Sequence, residues 1–475
     1  MASAIVKMKA HSEVSDAGWR CAWRVWLVLT GLVAVFCLAL YLCAGMKGVS
    51  AFVQNGPLSI VEQTVACVAV AWGAWGIGLA LLRYPRIRAE NGVTIVCAFV
   101  LLLLYVNFLR ERIHYADVDD YVNGAFNLHD GAPFHARYLY PPLLATLCQP
   151  FLPLGAHGVA GLFWFANLVA LVALYVLLGV ALERYGYGHR LAELLAFFFL
   201  IVNVPILRTM AYVQINLHVL NLILLAFLLF PKHRIFSALS LALAVHLKGA
   251  PLLLAVAFIW TGDKRWLAAF LAGLVGMSGL TFAVYGWAPF ASFLDNIGHV
   301  YAANGICFRE NSIDSLIRGA GMLAGVDASA WVSAVKIPLL VFFAGYAVHM
   351  MRRVAYVDRV DSGATVLNGL VIWSVVMVLA SPLIWEHHLI FLAIPFLVVI
   401  RKINRPSEWV VYSLLYLLTF LLPTFDFYPW SFGRLFSAVV LMGLMGRSCG
   451  ATEAGWVARA ERRVEAFFGS GQKGV

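Results

Sequence analysis

The residues best suited to chemistry begin at Glu111-Arg-Ile-His-Tyr-Ala-Asp117-Val-Asp119-Asp120-Tyr121, where three carboxylates fall within four positions. Carboxylates this close repel one another, which raises the proton affinity of at least one of them. A raised carboxylate suits a general base that takes a proton from an attacking sugar hydroxyl. The same run also reads as a solvated acidic turn capping a following helix, with Asp120 a fair N-cap. Downstream comes Gly131-Ala-Pro133-Phe-His135-Ala-Arg137-Tyr138-Leu-Tyr140-Pro141-Pro142. Arg137, set among aromatics, either grips a phosphate or anchors the chain at a membrane interface.

Four further groups stand out. Arg208, Gln214 and Asn216 lie between two apolar runs, where amides suit sugar hydroxyls or ordinary turn chemistry. Lys248 sits in His246-Leu247-Lys248-Gly249-Ala250-Pro251, a break between two short apolar runs. A lysine amid apolar helix needs an anionic partner or an aqueous cavity, unless it snorkels to the interface. Asn304, Arg309, Glu310 and Asn311 share one long loop, and the last cluster is Ser381-Pro-Leu-Ile-Trp385-Glu386-His387-His388. Adjacent histidines on a helix point about 100° apart, so they are poor co-ligands for one metal. They serve better as neighbours of a phosphate, or as satisfied interface histidines.

The elements that must hold these residues are set by composition. Of 475 residues, 62% are hydrophobic and 12% charged, with a mean hydropathy of +0.85. A soluble domain carries about 25% charged residues, so too little charge is present to coat a water-soluble globule. Disorder, collagen and coiled coil fail on the same composition, and the net charge of +10 reads as basic membrane-flanking loops, not a nucleic-acid face. Eight cysteines without a CxxC spacing read as small core residues. The fold class is therefore an all-α polytopic membrane protein.

Apolar runs near 23–45, 61–83, 92–109, 158–181, 189–207, 211–230, 264–286, 330–351, 364–382, 386–401, 407–423 and 430–446 predict twelve spans. The two short runs within 234–261 add either a re-entrant hairpin or two thin spans, so about 12–14 transmembrane helices are expected. Pro141–Leu154 reads as a second re-entrant or interfacial element. Lys7, Lys9, Arg20 and Arg24 place the N-terminus in the cytoplasm, and every inner turn that follows is basic. Both termini then share the cytoplasmic side of the plasma (inner) membrane. The long loops 110–157 and 287–329 face the exterior or periplasm. Residues 1–91 read as a tail with two additional spans, 92–446 as the main membrane domain, and 447–475 as a cytoplasmic tail.

Two classes of function fit a polar face on one side of such a domain. An outward-facing transferase has no supply of nucleotide sugars, so it needs a lipid carrier, a basic pocket for the carrier's phosphate, and a carboxylate base. A transporter or lipid flippase places its site near the midplane, between repeat-related broken helices. The one-sided polar clusters and the lack of a repeat favour the transferase.

The order Asp117-x3-Tyr121, Gly131, Tyr140-Pro141-Pro142, Gln214-x-Asn216, Lys248-x2-Pro251, Asn311-Ser312 and Ser381-Pro382-x2-Trp385-x-His387-His388 resembles glycosyltransferase family 87. That family comprises polyprenol-phosphate-sugar-dependent transferases of the GT-C fold, including mycobacterial mannosyltransferases acting on phosphatidylinositol mannosides. The resemblance covers about residues 92–440. It implies a polyprenyl-phosphate mannose or arabinose donor, a glycolipid or glycan acceptor, and inverting transfer. It also implies one aspartate base in the first outer loop, matched by Asp117. On this reading Lys248, Arg309, His387, His388 and Arg137 hold the donor phosphate. Asp119, Asp120, Tyr121, Tyr140, Arg208, Gln214, Asn216, Asn311, Trp385 and Glu386 contact substrate. Two departures are plain: the glycine that usually precedes Gln-x-Asn is Val213, and Glu386 precedes the histidine pair. Asp117-Val-Asp119 superficially matches a DxD, but basic side chains can neutralise a monophosphate donor, so no metal or other cofactor is expected.

Overall fold

The computed structural model describes residues 90–109, 116–201, 203–300, 310–357, 362–422 and 428–448, with parts of 27–39 and 457–464. Nearly all of the expected N-terminal pair of spans and most of the C-terminal tail lie outside these residues, as does Arg309. Every regular element among the described residues is helical. In chain order they are α1 (Glu90–Leu109), α2 (Ala116–His129), α3 (Pro142–Cys148), α4 (Gly155–Arg184), α5 (His189–Ile201), α6 (Val204–Ala211), α7 (Asn216–Leu229), α8 (Arg234–Leu247) and α9 (Ala255–Ile259). There follow α10 (Lys264–Tyr285), α11 (Ala288–Gly298), α12 (Ile313–Ala324), α13 (Ser329–Val357), α14 (Ser362–Ala380), α15 (Ala393–Val399), α16 (Pro406–Tyr416) and α17 (Gly433–Ser448). Short 3-10 turns at Gln149–Leu154, Ala250–Leu254 and Glu386–Leu392 join several of them.

Among the described residues, four helical stretches are long and apolar enough to cross a bilayer: Pro142–Arg184, Lys264–Tyr285, Ser329–Arg353 and Gly363–Ala380. In the last of these, 78% of the apolar window is buried, against 17% in α10 and in α13. Thus α14 is the central span, packed on α9, α13 and α17, whereas α10 and α13 turn Leu271, Val275, Phe282, Val341 and Phe342 outward. Apolar side chains exposed on this scale mark a surface that faces lipid. The protein is an all-α polytopic membrane protein.

Several runs that read as unbroken spans are built from shorter helices. The run 189–207 is interrupted ahead of Asn203, whose side chain caps α6 by accepting from the Ile206 amide at 3.1 Å, with Pro205 in the first turn. The run 211–230 becomes helical only at Asn216, and 386–401 opens as a 3-10 turn. Apolar composition alone does not separate a straight helix from a broken one, because tertiary neighbours can satisfy the freed backbone groups. Pro141–Leu154, read from sequence as a separate element, is helical from Pro142 and runs through its 3-10 turn straight into α4. The 234–261 region is indeed two short helical pieces, and Lys248 sits at the break between them.

Helix α2 carries the acidic run. Asp117 and Asp119 lie in its first turn, where the helix dipole favours negative charge. Positions three and four apart share a face, so Asp117, Asp120, Tyr121 and Gly124 line up, and Asp119 points away and is exposed. At Gly124 the chain passes the ring of Tyr138 so closely that an added Cβ would lie 2.4 Å from it. That ring cannot yield: Tyr138 is fully buried, and its hydroxyl accepts from the Ala145 amide at 3.0 Å. Asn296 of α11 also donates to the Tyr138 and His135 carbonyls, at 3.1 and 2.9 Å. Gly124→Ala is therefore expected to destabilise the fold by about 1–3 kcal/mol, as overpacking does, read as a lower melting temperature in detergent.

Candidate active site

The turn between α6 and α7 supplies the centre of the site. Thr209, Met210, Tyr212, Val213 and Gln214 wrap it with backbone hydrogen bonds. Val213 holds φ +56°, in the left-handed region, and is fully buried. This conformation suits glycine, and a β-branched residue held there is strained. The glycine-to-valine departure thus falls where it costs about 1–2 kcal/mol. Val213→Ala removes packing without relieving the backbone, whereas Val213→Gly does both. The two variants should reverse the usual order, with glycine the more stable of the pair in a thermal melt.

Gln214 is buried and tightly oriented. Its Oε1 accepts from the Tyr121 hydroxyl at 3.0 Å, and the Tyr140 hydroxyl stands 3.4–3.5 Å from its amide atoms. The Tyr121 hydroxyl in turn accepts from the Ile215 amide at 3.3 Å. So held, Gln214 stands beside the Asp117 carboxyl. Burial raises that carboxyl above the ordinary carboxylate range, although the Gln214 amide and the charges of Lys248 and Arg137 pull the other way. Asp120, one turn along, is pushed up to about 7 by burial, opposed by Arg137 and reinforced by Asp117 and Asp119. Arg137 approaches it at 3.4 Å and His135 at 3.8 Å.

Across from Asp117, the Lys248 ammonium donates to Asn216 Oδ1 at 2.7 Å, and Asn216 Nδ2 donates to the His387 carbonyl at 3.1 Å. This chain ties the break after α8 to the start of α7 and to the histidine pair. The rings of His387 and His388 meet edge to face at 4.4 Å, and Tyr212 packs on His387 at 6.1 Å. His388 Nδ1 accepts from the Trp385 amide at 3.2 Å, committing that nitrogen to its own segment.

Sequence motifs up to 271 residues apart thus meet in one place: Asp117, Tyr121, Tyr140, Gln214, Asn216, Lys248, His387 and His388. Asp120 and Arg137 flank this group, and Asp119 stands outside it. Glu386 faces arginines: it accepts from Arg208 Nε at 2.8 Å and pairs with Arg434 at 3.6 Å. Arg434 belongs to none of the motifs, but a cation in the apolar run 430–446 is itself a signal of a buried partner. Asn311 meets the cluster through its backbone, donating to the Ile384 carbonyl at 2.7 Å. The arrangement offers a proton acceptor, an amide that orients it, and a cation with imidazoles beside it. Asp117 and Asp119 leave the helix on different faces, so they do not form a chelating pair.

Residues 138–382 match glycosyltransferase family 87. The match spans more than half of the chain, and the chain belongs to that family. It includes Tyr140, Gln214, Asn216 and Lys248, and the fold sets Asp117 and the histidine pair against them from either side of the matched stretch. No curated protein and no solved structure matches the chain. The protein is a membrane glycosyltransferase.

Proposed function

We propose that this enzyme transfers a sugar, mannose in the first instance or else arabinose, from a polyprenyl-phosphate donor to a hydroxyl of a glycolipid or glycan. The observation that carries this reading is the meeting of Asp117, Tyr121, Gln214, Asn216, Lys248 and the histidine pair in one polar cluster. A lipid-anchored donor reaches such a cluster from within the bilayer, and its single phosphate finds cationic and imidazole donors there. The acceptor oxygen attacks the anomeric carbon as the carbon–oxygen bond to phosphate breaks. The bonding electrons leave with the polyprenyl phosphate, and the hydroxyl proton passes to Asp117. One displacement inverts the anomeric centre.

We place the cluster on the outer face of the plasma membrane, with both termini cytoplasmic, because basic turns alternate with the loops that carry the site. Cysteine introduced at His129, an exposed position at the end of α2, should react with an impermeant maleimide in intact cells that lack other reactive cysteines. Reaction only after lysis reverses the topology. The chemistry is tested with purified protein in liposomes. Polyprenyl-phosphomannose should support transfer to a glycolipid acceptor, and GDP-mannose alone should not. Equal transfer from the nucleotide sugar contradicts the proposal.

A further inference from the structure

The loop between α11 and α12 ends in a carboxylate that the reaction does not use. Glu310 is buried, and its two oxygens are fully engaged. Oε1 accepts from the Ile384 amide at 2.5 Å and the Ser312 amide at 2.9 Å, and Oε2 accepts from the Ser312 hydroxyl at 2.7 Å. The Asn311 amide returns a bond to the Ile384 carbonyl at 2.7 Å. Ile384 is thus gripped through both its amide and its carbonyl by two consecutive residues, the first of them 74 positions upstream. It belongs to the irregular stretch Ser381–Trp385, which leads directly into the histidine pair. The Ser312 hydroxyl also accepts from the Ser315 amide at 3.0 Å, so the clamp is fixed to the first turn of α12.

We infer that Glu310 is a positioning residue: through Ile384 it sets where His387 and His388 stand relative to Lys248 and Asp117, and so sets affinity for the donor phosphate. The clamp has the chemistry this task requires. A carboxylate accepts several hydrogen bonds at once and donates none. Glutamine can keep an oxygen for the two backbone amides only by turning its NH2 toward the Ser312 hydroxyl, which then loses its acceptor while still receiving the Ser315 amide. Burial pushes Glu310 up to about 7, opposed by its bonds from Ile384, Ser312 and Ser315, so the strain of ionising it is offset by the segment it holds. Glu310 touches neither the reacting carbon nor the phosphate. Its effect is carried wholly by the backbone of residues 381–388.

This inference rests on the donor reading above, and the experiment separates the two. Binding of a polyprenyl monophosphate, the spent carrier, is measured on purified full-length protein alongside kcat and donor KM. Glu310→Gln should weaken carrier binding about 10-fold or more and raise donor KM, with kcat for saturating donor changed far less and the melting temperature within a few degrees. Glu310→Asp should recover part of the loss. Ser312→Ala, which removes a single leg of the clamp, should show a smaller change of the same kind and serves if Glu310→Gln fails to fold. Folded Glu310→Gln and Ser312→Ala proteins that both bind carrier as tightly as the unaltered protein overturn the inference, provided that Lys248→Met weakens binding. Unchanged binding in Lys248→Met as well locates the failure in the donor site, not the clamp.

Discussion

Asp117→Asn is expected to fold, to bind donor with nearly unaltered affinity, and to lose turnover by about 10²–10⁴-fold, the usual contribution of general-base catalysis. The asparagine keeps the shape of the side chain and a partner for Gln214, but it cannot accept the proton of the attacking hydroxyl. The loss should therefore appear in kcat and kcat/KM together, as for an interaction made in the transition state. Asp119→Asn is the control, because that side chain is exposed on another face of α2. Asp120→Asn should fall between them, since Asp120 lies one turn from Asp117 on the same face of α2 and is half-buried beside Arg137. The pH profile carries the same signature. A base must be deprotonated, and burial holds Asp117 above its usual range, so the acidic limb of kcat should lie above the ordinary carboxylate pKa of about 3.9.

Lys248→Met is expected to weaken donor binding by about 10- to 150-fold, the loss of one charged hydrogen bond worth about 1.5–3 kcal/mol. Methionine fills much of the lysine volume and so tests charge more than packing. The same change leaves Asn216 Oδ1 without the ammonium that now bonds it at 2.7 Å, so a lower melting temperature should accompany it. Asn216→Ala separates the effects: it loosens the contact to the His387 carbonyl yet leaves the cation in place, so donor affinity should fall less than in Lys248→Met. A Lys248→Met protein with full donor affinity reduces the lysine to a strut for α7.

Much of this site was legible in the chain. Ionisable residues stand out against apolar runs, and helical periodicity alone puts Asp117 and Tyr121 on one face. What the sequence could not supply was the pairing of distant segments. Glu386 and Arg208 are 178 positions apart and read as separate substrate contacts, yet they bond each other. Glu310 read as one polar loop residue among several, because its partner is the backbone of Ile384, which has no side-chain signature. Helix continuity was the other weak point. The break at Asn203 arises inside an apolar stretch, where composition is uniform and capping decides. By contrast, the departure at Val213 was visible in sequence, and the left-handed backbone there explains why glycine suits that position.

The most direct test of the account is a cryo-EM map of the protein in nanodiscs with a non-transferable polyprenyl-phosphosugar analogue. The account predicts phosphate density within hydrogen-bonding reach of Lys248 Nζ, bordered by His387, with the anomeric carbon turned toward the Asp117 carboxyl and the lipid tail leaving along the apolar surface of the bundle. Phosphate density away from Lys248, or an anomeric carbon beyond the reach of Asp117, contradicts it.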